Sequence, residues 1–183
     1  MEQADQLNGV EETPSYWGSI GIAGLIFAII TFILQIIMGY IQISGGSIWV
    51  TSISGAIICL IGAFGGMVAV WHYASEYNTT TTFGKGALIG FLTGVVIVVI
   101  GIILGKLWLL IDPDFQHKII EASLDRAREM NVPDEQMGAM RANIESRTTI
   151  VKQLIWGIPV TGILNLLTGM LGVQLFAKEE EDY

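Results

Sequence analysis

The chain is 183 residues long, enough for one domain, and 52% of it is hydrophobic, well above what a water-soluble fold of this size needs to fill its core. Its net charge of −8 falls on the polar stretches, among them the first dozen positions and the tail Glu179-Glu180-Glu181-Asp182, which argues against nucleic acid as a partner. The single cysteine, Cys59, lies in an apolar run, which excludes an intrachain disulfide and reads as a small buried hydrophobe.

Residues 1–15 are polar and acidic with no Lys or Arg, the wrong start for a secretory signal, so the first apolar helix is expected to be retained. That helix is expected at 16–41 and a second at 48–74, joined by the short turn Ile43-Ser44-Gly45-Gly46-Ser47 into a tight hairpin. A polar turn carrying four threonines leads to a third helix at 84–111, whose stretch from Leu88 to Leu104 has no charge. About 20 apolar residues at 1.5 Å each cross a hydrocarbon core of roughly 30 Å, so each run is long enough to span.

Asp112 is expected to cap the next helix, with Pro113 at its first position, where a missing N–H is harmless. Residues 112–149 read as an amphipathic helical loop in two pieces, broken at Asn131-Val132-Pro133. Phe115, Ile119, Ala122 and Met130 would share one face, and Met137, Met140 and Ile144 another. Its carboxylates alternate with Arg126, Arg128, Arg141 and Arg147, as on a solvated face. The last span is expected at 150–177, with Pro159 allowing a kink, before the acidic tail 178–183. The fold class is therefore all-α, an integral membrane four-helix bundle whose immediate partner is membrane lipid.

Trp and Tyr favour the headgroup level, and here Trp17 and Trp71 mark one membrane face while Trp49, Trp108 and Trp156 mark the other. Lys106 and Lys152 lie beside tryptophans of the second face and read as interfacial anchors with snorkelling stems. Helices associate in lipid through close packing, and glycines four apart open a flat face. Gly86, Gly90 and Gly94, then Gly101 and Gly105, give the third helix such a face. Gly62 and Gly66 contribute to one on the second, and Gly162 and Gly169 to one on the fourth. These surfaces read as packing inside one bundle, with self-association as the functional alternative.

Chemistry-bearing groups are few. His72 with Glu76, and His117 with Glu121, are four apart and share helical faces, but neither pair completes a metal site and the two emerge on opposite faces of the membrane. Gly84-Lys85-Gly86 lacks the spacing of a phosphate loop and is better read as a helix start. The expectation is no catalytic residue, no cofactor and no metal.

From Trp71-His72-Tyr73 to Thr82-Phe83-Gly84-Lys85-Gly86, and again at Ile111-Asp112-Pro113-Asp114-Phe115, the chain resembles a bacterial membrane family, the domain of unknown function numbered forty-one ninety-nine. The resemblance covers roughly residues 70–178, with Thr79-Thr80-Thr81-Thr82 in place of the commoner Gly-rich turn. It implies four transmembrane helices, no established activity, and both termini in the cytoplasm. The cations point the other way, because Lys106, Lys118, Arg126, Arg128, Arg141, Arg147 and Lys152 outnumber Lys85 and Lys178 and would favour a cytoplasmic loop. The family orientation is preferred, since the loop cations are interleaved with carboxylates.

The expected function is that of a non-enzymatic multi-pass protein of the bacterial inner membrane, serving structure, assembly or interaction through a second copy or a membrane-protein partner. The alternative is a small oligomeric channel or carrier built around Gln35, Thr161 and Asn165.

Overall fold

The computed structural model describes residues 14–176; the acidic tail 178–183 and most of the polar amino-terminal stretch lie outside the described residues. Those residues form six helices, α1 (Trp17–Ile43), α2 (Ile48–Tyr77), α3 (Phe83–Ile111), α4 (Phe115–Glu129), α5 (Asp134–Arg147) and α6 (Ile150–Phe176). The fold is all helical, and α1, α2, α3 and α6 are long and apolar enough to cross a membrane. At 27 to 30 residues each they are about 40 to 45 Å long, longer than the hydrocarbon core, so they tilt or reach through the headgroups.

The ends of the helices follow from local chemistry. Gly45, at φ 81°, makes the turn after α1. The second helix runs through Ser75, Glu76 and Tyr77, three residues beyond the expected end, until Asn78 takes the left-handed conformation that stops it. Thr82 caps α3 by accepting the Lys85 N–H at 3.4 Å, so the Gly84-Lys85-Gly86 stretch is a helix start. Asn131, at φ 59°, turns the chain between α4 and α5.

In cross-section α1 and α6 occupy opposite corners, each touching α2 and α3, which also touch one another; the most extensive contact is between α3 and α6. Down-up alternation puts residues 14–17, the α2–α3 turn and the end of α6 on one face, here the termini face. The α1–α2 turn, α4 and α5 lie on the other, the loop face. The two halves differ in density. Ile20, Ala23, Ala69, Val70, Tyr73, Ile89 and Val173 form the buried core, and every one belongs to the termini-face half.

Glycine sets that density. A Cβ at Gly90 would lie 2.9 Å from the Asn165 carbonyl carbon and 3.1 Å from the Gly169 Cα; one at Gly94 would lie 2.8 Å from both the Gly162 Cα and the Thr161 oxygen. Gly86 meets Val173 and the Gly169 carbonyl in the same way. On α2, Gly66 sits against the Asn165 backbone, and a Cβ at Gly62 would lie 3.3 Å from the Thr31 methyl. The backbones therefore touch along this seam, the arrangement lipid-embedded helices use where no hydrophobic force drives them together. Asn165, fully buried, adds polar links: its Oδ1 accepts the Gly66 N–H at 2.7 Å and its Nδ2 donates to the Thr161 carbonyl at 2.9 Å. Thr168 Oγ1 donates to the Ala63 carbonyl and, at 3.1 Å, to that of Asn165. Asn165 thus ties α6 to α2, and its amide is occupied by packing.

Gly101 and Gly105 continue the same face of α3, yet a Cβ at either would meet nothing within 4 Å. They do not join the seam, because α3 and its neighbours have parted by that level. Trp17, Trp49, Trp71 and Trp156 are all well exposed and stand near helix ends at the expected faces. Trp108 is instead half-buried in a ring cluster with Phe32, Tyr40 and Phe115, at centroid separations of 6.2 to 6.5 Å. Lys152 is exposed at the start of α6.

Candidate functional site

Where the seam ends, the loop-face half of the bundle holds a partly open cavity of about 610 Å³. All four spanning helices contribute. The third helix supplies Ile97, Gly101, Gly105 and Lys106; the second supplies Gly55, Cys59 and Gly62; the first supplies Thr31 and Gln35. Thr161 and Gln153 come from α6, while Phe115, Gln116 and Ile119 of α4 form the roof. The glycines make the space, since Gly55, Gly101 and Gly105 each occupy a wall position with open room where a side chain would stand. Cys59 lies on this wall and is exposed, which corrects its reading as a buried hydrophobe. Of the three polar residues singled out for a pore, Gln35 and Thr161 line the cavity, whereas Asn165 is sealed in the α2–α6 contact.

The roof is fastened to α1. A Cβ at Gly39 would lie 2.5 Å from Phe115 Cζ and 3.2 Å from Ile119 Cδ1, so α4 rides directly on this glycine. Gln42 Nε2 donates to Ser123 Oγ at 2.8 Å, and Arg126 donates to the Gly46 and Gln42 carbonyls at 2.8 and 3.4 Å. The Gln42 carbonyl lies at the negative end of α1, which favours a guanidinium, and the Gly46 carbonyl lies in the turn that follows. The buried residues of α4 are Ile120, Leu124 and Ala127, at helical spacing; Met130, expected to share a face with Phe115, Ile119 and Ala122, follows the helix and is exposed. α5 packs more loosely and is joined to α4 by the Arg141–Glu121 ion pair.

Asp112 forms the latch between α3 and the roof. It accepts the Tyr40 hydroxyl at 2.8 Å and the Lys118 ammonium at 2.9 and 3.2 Å. This corrects its reading as a cap, because α4 begins only at Phe115, with Asp114 before it, and Pro113 lies in the connecting turn. The Lys118 ammonium, followed by the Tyr40 hydroxyl, holds the Asp112 carboxyl below its usual range, and the carboxylate raises Lys118 in turn. For a depressed carboxyl the contribution to docking is complete above its unfolded value, about 4, and disappears as pH falls through the lower native value. For the raised lysine it is complete below the unfolded value, about 10.4, and disappears as pH climbs through the higher native one. The latch is therefore closed across the neutral range. Asp112→Asn is expected to raise tryptic cleavage within α4 several-fold at neutral pH. By hydrogen exchange, its difference from wild type should begin to shrink below about pH 4 and vanish as the pH falls through the lower native value.

The histidines are placed apart from the cavity. His72 Nδ1 lies 2.9 Å from Ser19 Oγ near the termini face, and His117 pairs with Glu121 at 3.9 Å on exposed α4 surface. Lys85 Nζ donates to Tyr73 Oη at 2.6 Å, and that hydroxyl donates to the Pro14 carbonyl at 3.1 Å. Sequence reasoning missed the cavity, the latch and the Arg126 contact. The nearest signal for the latch was the pairing of a tyrosine at the end of one span with an acid at the end of another.

A family model described as "Protein of unknown function (DUF4199)" matches residues 17–172, which takes in the first three spans, the loop helices and most of α6. No curated protein and no solved structure matches the chain.

Proposed function

We propose that this chain, which belongs to the DUF4199 family, is a non-enzymatic multi-pass protein of the bacterial inner membrane that works by binding, with the loop-face cavity as its receiving site. The observation that carries this reading is the cavity itself, about 610 Å³, half open between the helices of an apolar bundle and roofed by a helix with its own fastenings. Catalysis is disfavoured by the lining, where among the described residues a thiol and an amine stand without a carboxylate or imidazole to act as a base. α5 and the exposed side of α4 offer a polar surface to a second copy or a membrane-protein partner.

Native mass spectrometry of the chain extracted with its surrounding lipid tests the reading. A guest retained at one per chain, and lost in Gly101→Leu, is expected; a chain that carries no guest would contradict it. Crosslinking in native membranes should also recover a dimer or a neighbour.

A carrier is the second reading, favoured by the cavity's being closed by the dense half toward the termini face. Flux of a retained guest between liposome leaflets would separate carrier from receptor. We place both termini in the cytoplasm, supported by the pairing of Lys118, Arg128 and Arg141 with acids on the loop face. A carboxyl-terminal tag should then resist protease added to spheroplasts, and its digestion from outside would reverse the orientation.

A further inference from the structure

We propose that the loop-face cavity binds a single-tailed amphiphile with an anionic head, a carboxylate or a phosphate. Its head pairs with Lys106 and its tail runs inward toward Ile97 and Gly62. This deepens the reading of the cavity as a binding site and rests on it.

Charge is the first argument. Among the described lining residues Lys106 is the one cation, no acid lines the cavity, and no ion pair involves Lys106. Gln116 and Gln153, from the roof and from α6, line the same cavity and add amide donors. An anionic group in that position would gain charge-assisted hydrogen bonds, which are shorter and stronger than neutral ones.

Shape is the second. From Lys106 to Ile97 the wall follows α3 for nine residues, about 14 Å at 1.5 Å each, deeper than a head group alone would fill. The deeper lining is mostly apolar, with Ile36, Ile58, Ile97, Ile102 and Leu164 beside Thr31 and Thr161, and the missing side chains of Gly55, Gly101 and Gly105 leave the width for a chain. Gln35, Gly55 and Cys59, on α1 and α2, line the cavity and are exposed, so it is open on that side and a tail can pass from lipid without crossing water.

The head decides what binds. A tail moving from bilayer to cavity exchanges one apolar environment for another and supplies no selection of its own. A neutral amphiphile of equal length would therefore be held poorly.

The test uses the full chain in phosphatidylcholine nanodiscs, titrated with radiolabelled palmitate, lysophosphatidate and hexadecanol. Saturable binding of one or both anions at one per chain is expected, with hexadecanol at least about tenfold weaker. The ratio of the two anionic arms distinguishes carboxylate from phosphate. Lys106→Gln should weaken anion binding about tenfold, and Lys106→Arg should keep it. Gly101→Leu, whose side chain enters open space, should abolish binding while retaining the helical spectrum and the elution volume of the wild type. Equal binding of hexadecanol and palmitate, unaffected by Lys106→Gln yet lost in Gly101→Leu, would overturn the anionic head and leave the cavity as a site. Absence of saturable binding, or binding indifferent to Gly101→Leu, would overturn both.

Discussion

Gly94→Val is expected to destabilise the bundle by about 3 kcal/mol or more, enough to lose the folded chain in mild detergent. The size follows from what the new Cβ would strike. Its nearest neighbours are the Gly162 Cα at 2.8 Å, the Thr161 oxygen at 2.8 Å and the Gly162 nitrogen at 3.0 Å, all backbone. A side chain can rotate away from an intruder, but a helix backbone can only translate. Moving α6 away from α3 would also separate Gly86 and Gly90 from Gly169 and open the seam along its whole length. Reversible unfolding in mixed micelles, followed by circular dichroism, measures the loss. A Gly94→Val midpoint within error of wild type would mean that α3 and α6 do not touch there.

Asn165→Leu is expected to cost about 2 kcal/mol despite the shared branched outline of the two side chains. Removal of the amide leaves the Gly66 N–H without the acceptor it has at 2.7 Å, and the Thr161 carbonyl without its second donor at 2.9 Å. Polar links between membrane helices average well under 2 kcal/mol because the unfolded chain finds other partners in the bilayer. Here, however, one amide makes both links in a tight contact between α2 and α6, and a leucine can make neither, which puts the effect at the upper end. Gln35→Leu is the comparison, since Gln35 faces the cavity opening. It should change stability by less than about 0.5 kcal/mol. Equal effects for the two variants would place Asn165 in a wet pore and contradict the packing role.

The spans were legible because the bilayer demands long uncharged runs, and Leu88 to Leu104 has few other readings. Glycines at 86, 90 and 94 announced a packing face by their spacing alone. The same spacing made Gly101 and Gly105 look equivalent, since seven residues on a helix return to within about 20° of the same direction. What separates them is the divergence of the neighbouring helices, a property of four chain segments together and of no one periodicity. The cavity was hidden for that reason. Asp112 was misread for a different one: Asp followed by Pro is a strong local helix-start signal, and here Tyr40 and Lys118 draw the carboxylate into a long-range latch. Local pattern likewise grouped Met130 with Phe115, Ile119 and Ala122, whereas the contact with Gly39 of α1 turns Ile120, Leu124 and Ala127 inward and leaves Met130 exposed after the helix ends.

The division of the bundle into a dense half and an open half is the premise of the binding site, and an alanine scan of the five α3 glycines tests it most directly. Alanine at Gly86, Gly90 or Gly94 should lower stability by about 1 to 3 kcal/mol, because the added methyl meets backbone or a packed valine. Alanine at Gly101 or Gly105 meets open space, so the better helix former should leave stability unchanged or raise it by up to about 1 kcal/mol. That change of sign between Gly94 and Gly101 is the predicted result. Five losses of similar size would mean that α3 is packed along its whole length and that no cavity exists.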